Sequence, residues 1–93
     1  MYYKIAEHRI VGYRKSHTKT KKYDSIIQNK KTGKIYVIPF GAVGYEHYQD
    51  KTGLNLYKSH GDKKRRKLYR ARHRKDIKPG YYSPGWMSMN ILW

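Results

Sequence analysis

Residues 22–41 read KYDSIIQNKKTGKIYVIPFG, and no other stretch restricts the fold as much. Tyr23, Ser25 and Ile27 alternate with Asp24, Ile26 and Gln28, the period-2 pattern of a strand with one face turned to a core. NKKTGK follows with turn chemistry: Asn29 tolerates the left-handed region and Gly33 is free to take a positive φ. Residues 35–38 are rich in β-branched and aromatic side chains. Pro39 lacks an N–H and is expected to end the pairing. The segment predicts a β-hairpin, and the rest of the chain must pack around it.

A chain of 93 residues has room for one domain. At this length folding buries roughly 60–65% of the surface that the extended chain exposes, so the core is small. Two further elements have clear start signals. Asp62 is a good N-cap for a helix over residues 63–75, because its carboxylate accepts a first-turn N–H and favours the positive end of the helix dipole. Pro79 and Gly80 stop that helix. Ser83 followed by Pro84 is the pairing expected at a second helix start. Trp86, Met89 and Trp93 then recur at i, i+3 and i+7, which predicts a short apolar helix.

The remaining segments carry weaker signals. In MYYKIAEHRIVGY, Tyr3, Ala6, Ile10 and Tyr13 suit a loose helical face, and a short strand over residues 9–13 suits them equally. RKSHTKTK reads as a polar linker, so residues 1–21 are taken as a basic arm and residues 22–93 as the domain. Residues 41–61 carry four glycines and read as a long loop, with Tyr45, Tyr48, Leu54 and Tyr57 folding it back onto the sheet.

Charge narrows the function. Lys and Arg number 22 against 6 Asp and Glu, a net charge of +16, so a polyanion is the expected partner. Eleven tyrosines and two tryptophans supply core material that a disordered basic tail lacks. No apolar run approaches the ~20 residues of a membrane span, and Lys4, Glu7 and Arg9 interrupt any secretory leader. With no cysteine there is no disulfide and no thiolate site. The chain therefore reads as soluble, not secreted, and made where it works.

The densest charge is GDKKRRKLYRARHRKD, residues 61–76, in which nine of sixteen residues are Lys or Arg. Projected at about 100° per residue, Lys63, Lys67, Arg70 and Arg74 form one stripe with no acid in it. Lys64 and Arg66 flank that stripe, and Lys19, Lys21 and Lys22 are expected to extend it. Ordinary solvated faces mix signs to gain i,i+4 pairs, so the stripe points to phosphate contacts. Arg65, Leu68, Tyr69 and Arg72 form the other face and are expected to pack on the hairpin, with Arg65 and Arg72 reaching toward Asp24, Glu46, Asp50 or Asp76.

Catalysis finds little support. His8, His17, His47, His60 and His73 lack metal-ligand spacing, and there is neither a glycine-rich phosphate loop before a helix nor a GxSxG. A His47/His60/Asp62 cluster of nuclease type can be drawn, but few carboxylates surround it. The reading is a protein without catalytic, metal or cofactor residues. Tyr45, Tyr48, Tyr57, Tyr81 and Tyr82 fit core positions better than a base-stacking platform.

In order, KYDSIIQNKKTGK, PFGAVGYEHYQDKTG, GDKKRRKLYRARH and PGYYSPGWMSMNILW resemble a family of small basic proteins of large double-stranded DNA viruses, relatives of chlorella viruses, mimiviruses and iridoviruses. The resemblance covers residues 22–93, is most specific at PFG, the Arg-His segment and ILW, and leaves out residues 1–21. It implies a viral protein packaged in the virion or working in host cytoplasm or nucleus, and it carries no catalytic residue. The reading that results is a single α+β domain: a small antiparallel sheet, one basic helix and a short apolar helix. Its expected function is phosphate-directed binding of nucleic acid, viral DNA first, without sequence readout. The alternative is a minor capsid component whose charge meets acidic coat-protein surfaces, a role suited to an arm and an apolar tail that order against neighbours.

Overall fold

The hairpin is present, and it is the middle and edge of a three-stranded antiparallel sheet. A computed structural model describes residues 2–93. The elements run β1 (Tyr3–Lys4), a 3-10 turn (Ile5–Glu7), β2 (His8–Lys15), β3 (Lys21–Asn29), β4 (Ile35–Ala42), α1 (Lys63–His73), a 3-10 turn (Arg74–Asp76), β5 (Tyr81–Tyr82) and α2 (Pro84–Met87), which continues as a π-helical turn (Ser88–Leu92). The larger sheet has the order β2-β3-β4, and β1 pairs with β5 in a two-stranded ribbon. The fold class is α+β.

Asn29 makes the hairpin turn by accepting the N–H groups of Lys31 and Thr32 on its side chain, while Gly33 supplies the positive φ of 74°. Pro39 does not end the pairing. It lies opposite Asp24, and β4 continues to Ala42. Because β4 is an edge strand, it accommodates a residue that lacks an N–H.

Residues 2–21 are not a detached arm. Residues 8–15 form β2 and pair along nearly the whole of β3, from His8 opposite Asn29 to Lys15 opposite Tyr23. A β-bulge between Ile10 and Gly12 explains why this strand was ambiguous. Ile10 and Tyr13, three apart, face Ile27 and Ser25, which are two apart. The extra residue gives a strand the spacing of a helix.

The C-terminal segment fills the other side of the core. Tyr23, Ile27, Ile38 and Phe40 from the sheet pack with Tyr82, Met87, Ile91, Leu92 and Trp93. Ser83 caps α2 as expected, accepting from the Trp86 N–H, with Pro84 in the first turn. The helix keeps α geometry only to Met87. The π-helical turn then places Ile91, Leu92 and Trp93 all inward, where an uninterrupted helix would present only one face. Gly41 makes room for them: its φ is +77°, and a Cβ there would sit 2.8 Å from Leu92 Cδ1.

Residues 43–61 wrap over this core without regular secondary structure beyond a single bridge, His47 to Ser59. Tyr48 and Tyr57 fold back onto the core as expected, whereas Tyr45 and Leu54 stay exposed. The loop is tied down by backbone bonds from Tyr48 and Gln49 to the Leu92 carbonyl and from Lys51 to that of Ile91. The Tyr23 hydroxyl donates to Asp50 at 2.5 Å and accepts from the Leu56 N–H. Buried and bonded to Asp50, that hydroxyl has its pKa pushed up to about 12. No helix among the described residues is long and apolar enough to cross a membrane.

Candidate nucleic-acid interface

Asp62 starts α1 as its sequence predicts, its side chain accepting from the Lys64 and Arg65 N–H groups. The α-helix ends at His73, and residues 74–76 tighten into the 3-10 turn. No residue of α1 is fully buried; Arg66, Tyr69 and His73 are half-buried and define the side that meets the fold. That seam is turned by roughly 80° from the one that the helical projection picks out.

Three contacts set the orientation. The Tyr69 ring stacks on Trp93 at 4.0 Å between centroids and 6° between planes. Arg66 Nε donates to the Trp93 carbonyl at 2.5 Å, and its guanidinium lies 4.9 Å from the Tyr48 ring centroid. Arg70 donates to the Met89 carbonyl at 3.0 Å. Two arginines assigned to phosphate contact are therefore engaged with the carbonyls of the C-terminal turn, which lack helical partners. Arg72, expected to brace the fold, makes no such bond and is exposed, as is Leu68. Arg65 does reach a carboxylate, pairing with Glu46 at 2.6 Å. The guanidinium holds the Glu46 carboxyl below its ordinary range.

What remains is a cationic surface with no acid against it. Lys63, Lys64, Lys67 and Arg74 are exposed and enter no ion pair among the described residues. From Lys63 to Arg74 the stripe runs about 16 Å along the helix, the length of roughly five base-pair steps.

Lys19 and Lys21 sit instead at the β2–β3 turn, beside Lys15 and His17, where Lys19 is exposed and Lys21 half-buried. Lys22 leaves the surface altogether. It is 3% exposed, and its ammonium donates to the Tyr45 carbonyl and, at 2.8 Å, to His47 Nδ1. Burial lowers the Lys22 pKa, against the opposing pull of Asp50 and Glu46. Its expected role in phosphate contact is corrected: no ligand on the outer surface reaches it.

His47 is 1% exposed, and burial together with the Lys22 charge pushes its pKa down to about 4. His60 lies next to it, its N–H donating to the His47 carbonyl and its Nδ1 accepting from the Asp62 N–H. These bonds join His47, His60 and Asp62 through the His47 carbonyl, the His60 ring and the Asp62 N–H. Among the described residues no group of three or more His, Asp and Glu side chains is disposed to hold a metal ion.

Other charges are used internally. Asp24 has no exposed surface and accepts from Arg14 Nε, Ser16 Oγ, the His17 N–H and His17 Nδ1. Burial alone would raise its pKa, but the bonds from His17, Ser16 and Arg14 outweigh that and lower it. Sequence named His47 and Asp24 but not their partners, because the Lys22–His47 bond and the Asp24 cage join strand residues to loop residues that no periodic pattern links. No family model, curated protein or solved structure matches the chain.

Proposed function

We propose that this protein binds nucleic acid, duplex DNA first, through its phosphates and without reading sequence or performing chemistry. The observation that carries the reading is the charge imbalance on α1: Lys63, Lys64 and Lys67 are exposed on a helix that contains no acid, and the exposed Arg74 continues their line at the start of the following 3-10 turn. A soluble face with no other task gains from mixed signs, and six acids in the chain against a net charge of +16 leave little internal compensation. The setting we propose with it is the one that the sequence resemblance implies, a large DNA virus, in the particle or in host cytoplasm or nucleus. Two features that suit the capsid alternative are used within the fold itself, since residues 8–15 are strand β2 and the apolar tail is part of the core.

The test is duplex binding measured across salt concentrations, with a scrambled-sequence control. Each phosphate contact contributes a slope of about −0.9 in log K against log salt. A steep slope that is independent of sequence supports the reading; weak binding with a flat slope overturns it.

A further inference from the structure

The face of α1 that carries Arg65 and Arg72 does not close onto the sheet. It stands over the chain between Gly41 and His47 and leaves a cleft of about 640 Å³, within the range of sites that hold small organic ligands. His47 and Lys22 line its floor, Trp93 and Leu92 one apolar side, Tyr45 another, and Arg65 and Arg72 the helix side.

On the floor, among the described residues, one buried cation lacks a direct ion pair and one ring nitrogen lacks a hydrogen-bond partner. The Lys22 ammonium is buried with a carbonyl and a neutral imidazole as its acceptors, and it forms no ion pair with a carboxylate. His47 accepts that ammonium at Nδ1, so its ring proton must sit on Nε2. His47 Nε2 is buried and has no hydrogen-bond partner. A buried N–H left unpaired costs about 1–3 kcal/mol. The cleft is lined by three cations, Lys22, Arg65 and Arg72, and by the carboxylate of Glu46, which Arg65 already engages, while Asp50 adds a second negative charge that acts on Lys22 and His47.

An imidazole N–H donor among cations, with apolar walls beside it, is the chemistry that receives an anionic oxygen carried on an organic body. We infer that the cleft binds a phosphomonoester, with His47 Nε2 and Arg72 donating to its oxygens and the Trp93 and Tyr45 side receiving the group that bears it. The phosphate belongs either to a free nucleotide or to the phosphorylated end of a nucleic-acid strand. The inference does not rest on the outer stripe of α1, which lies on a different side of the helix.

The experiment is an NMR titration of the nitrogen-labelled protein, following the side-chain nitrogens of His47 and Arg72. Inorganic phosphate and a nucleoside monophosphate are expected to move both signals, and the same nucleoside without phosphate to move neither. Arg72→Gln removes one charge-assisted bond from an exposed position and is expected to weaken binding by about tenfold. Lys63→Gln with Lys67→Gln leaves it unchanged. Short oligonucleotides with a 5′-phosphate or a 5′-hydroxyl separate the two sources: a preference for the phosphorylated end assigns the cleft to strand ends, and equal binding of the two assigns it to free nucleotides. Unmoved His47 signals under saturating phosphate, or full affinity in Arg72→Gln, overturn the inference whatever the outer stripe binds.

Discussion

The sheet and the basic helix spend charge in opposite ways. Asp24, in β3, is closed in by four donors, one from β2 and three from the β2–β3 turn, and Asp50 holds Tyr23 and Thr52 to the loop. On α1 one arginine finds an acid, two find backbone carbonyls, and the outer cations find nothing. The sheet with its C-terminal segment is built to be stable, since the carboxylates packed against it are hydrogen-bonded and its apolar residues buried. The helix is held at a few points and keeps an outer surface of cations, unpaired among the described residues, that repel one another.

The sharpest way to break this contrast is to truncate one large side chain in each region. Phe40→Ala empties a fully buried position and is expected to cost about 3–5 kcal/mol, whereas Leu68→Ala on α1 stays within about 0.5 kcal/mol. Urea unfolding of both variants measures the difference, and comparable losses would erase the distinction.

Acid is the next largest perturbation, and it acts on the sheet side. An unfolded histidine titrates near 6.5 and His47 in the fold at about 4, so on acidification the unfolded chain takes up this proton first. Its contribution is complete above pH 6.5 and is lost as pH falls toward 4, about 3 kcal/mol at most. His60, also depressed by burial, adds in the same direction. The depressed carboxyls of Asp24 and Asp50 contribute above about pH 4 and lose their effect below it. Unfolding free energies between pH 7.5 and 4.5 check this; a level profile contradicts a buried, neutral His47.

Within the helix the contrast separates arginine from arginine. Arg66→Gln loses a bond to Trp93 and a place over Tyr48, and is expected to cost about 1–2 kcal/mol. Arg70→Gln costs about 1 kcal/mol and Arg72→Gln less than 0.5, roughly the surface background. Asp62→Ala is expected to cost about 1 kcal/mol, felt mainly as fraying of α1, and helicity by circular dichroism reads it.

That order of arginines is the reverse of what helical periodicity suggests, and the reason is physical. The segment offers only Leu68, Tyr69 and Ala71 as apolar markers, too few to fix an inward face. The face is chosen by Tyr69 stacking on Trp93 and by carbonyls that a π-helical turn leaves open, neither of which a local pattern encodes. Where local chemistry decides the outcome, the sequence is legible: Asn29 and Gly33 at the hairpin turn and Asp62 and Ser83 as caps stand as read, whereas β3 is a strand whose alternation fails at the buried Lys22 and Asp24. Strand β2 is hidden by its bulge, and β1 and β5 by being two residues long. Of the stripe, Lys63, Lys67 and Arg74 keep their exposed place, whereas Lys22 is drawn inside by an acceptor, His47, twenty-five residues away.

The central claim is that the outer cations of α1 serve a polyanion and the fold does without them. It is tested most directly by comparing the wild type with a Lys63→Gln, Lys67→Gln, Arg74→Gln triple variant in duplex binding across salt, with urea unfolding of the same samples. The account predicts a salt slope shallower by about three in the variant, with unchanged stability. An unchanged slope, or a variant that no longer folds, would contradict it.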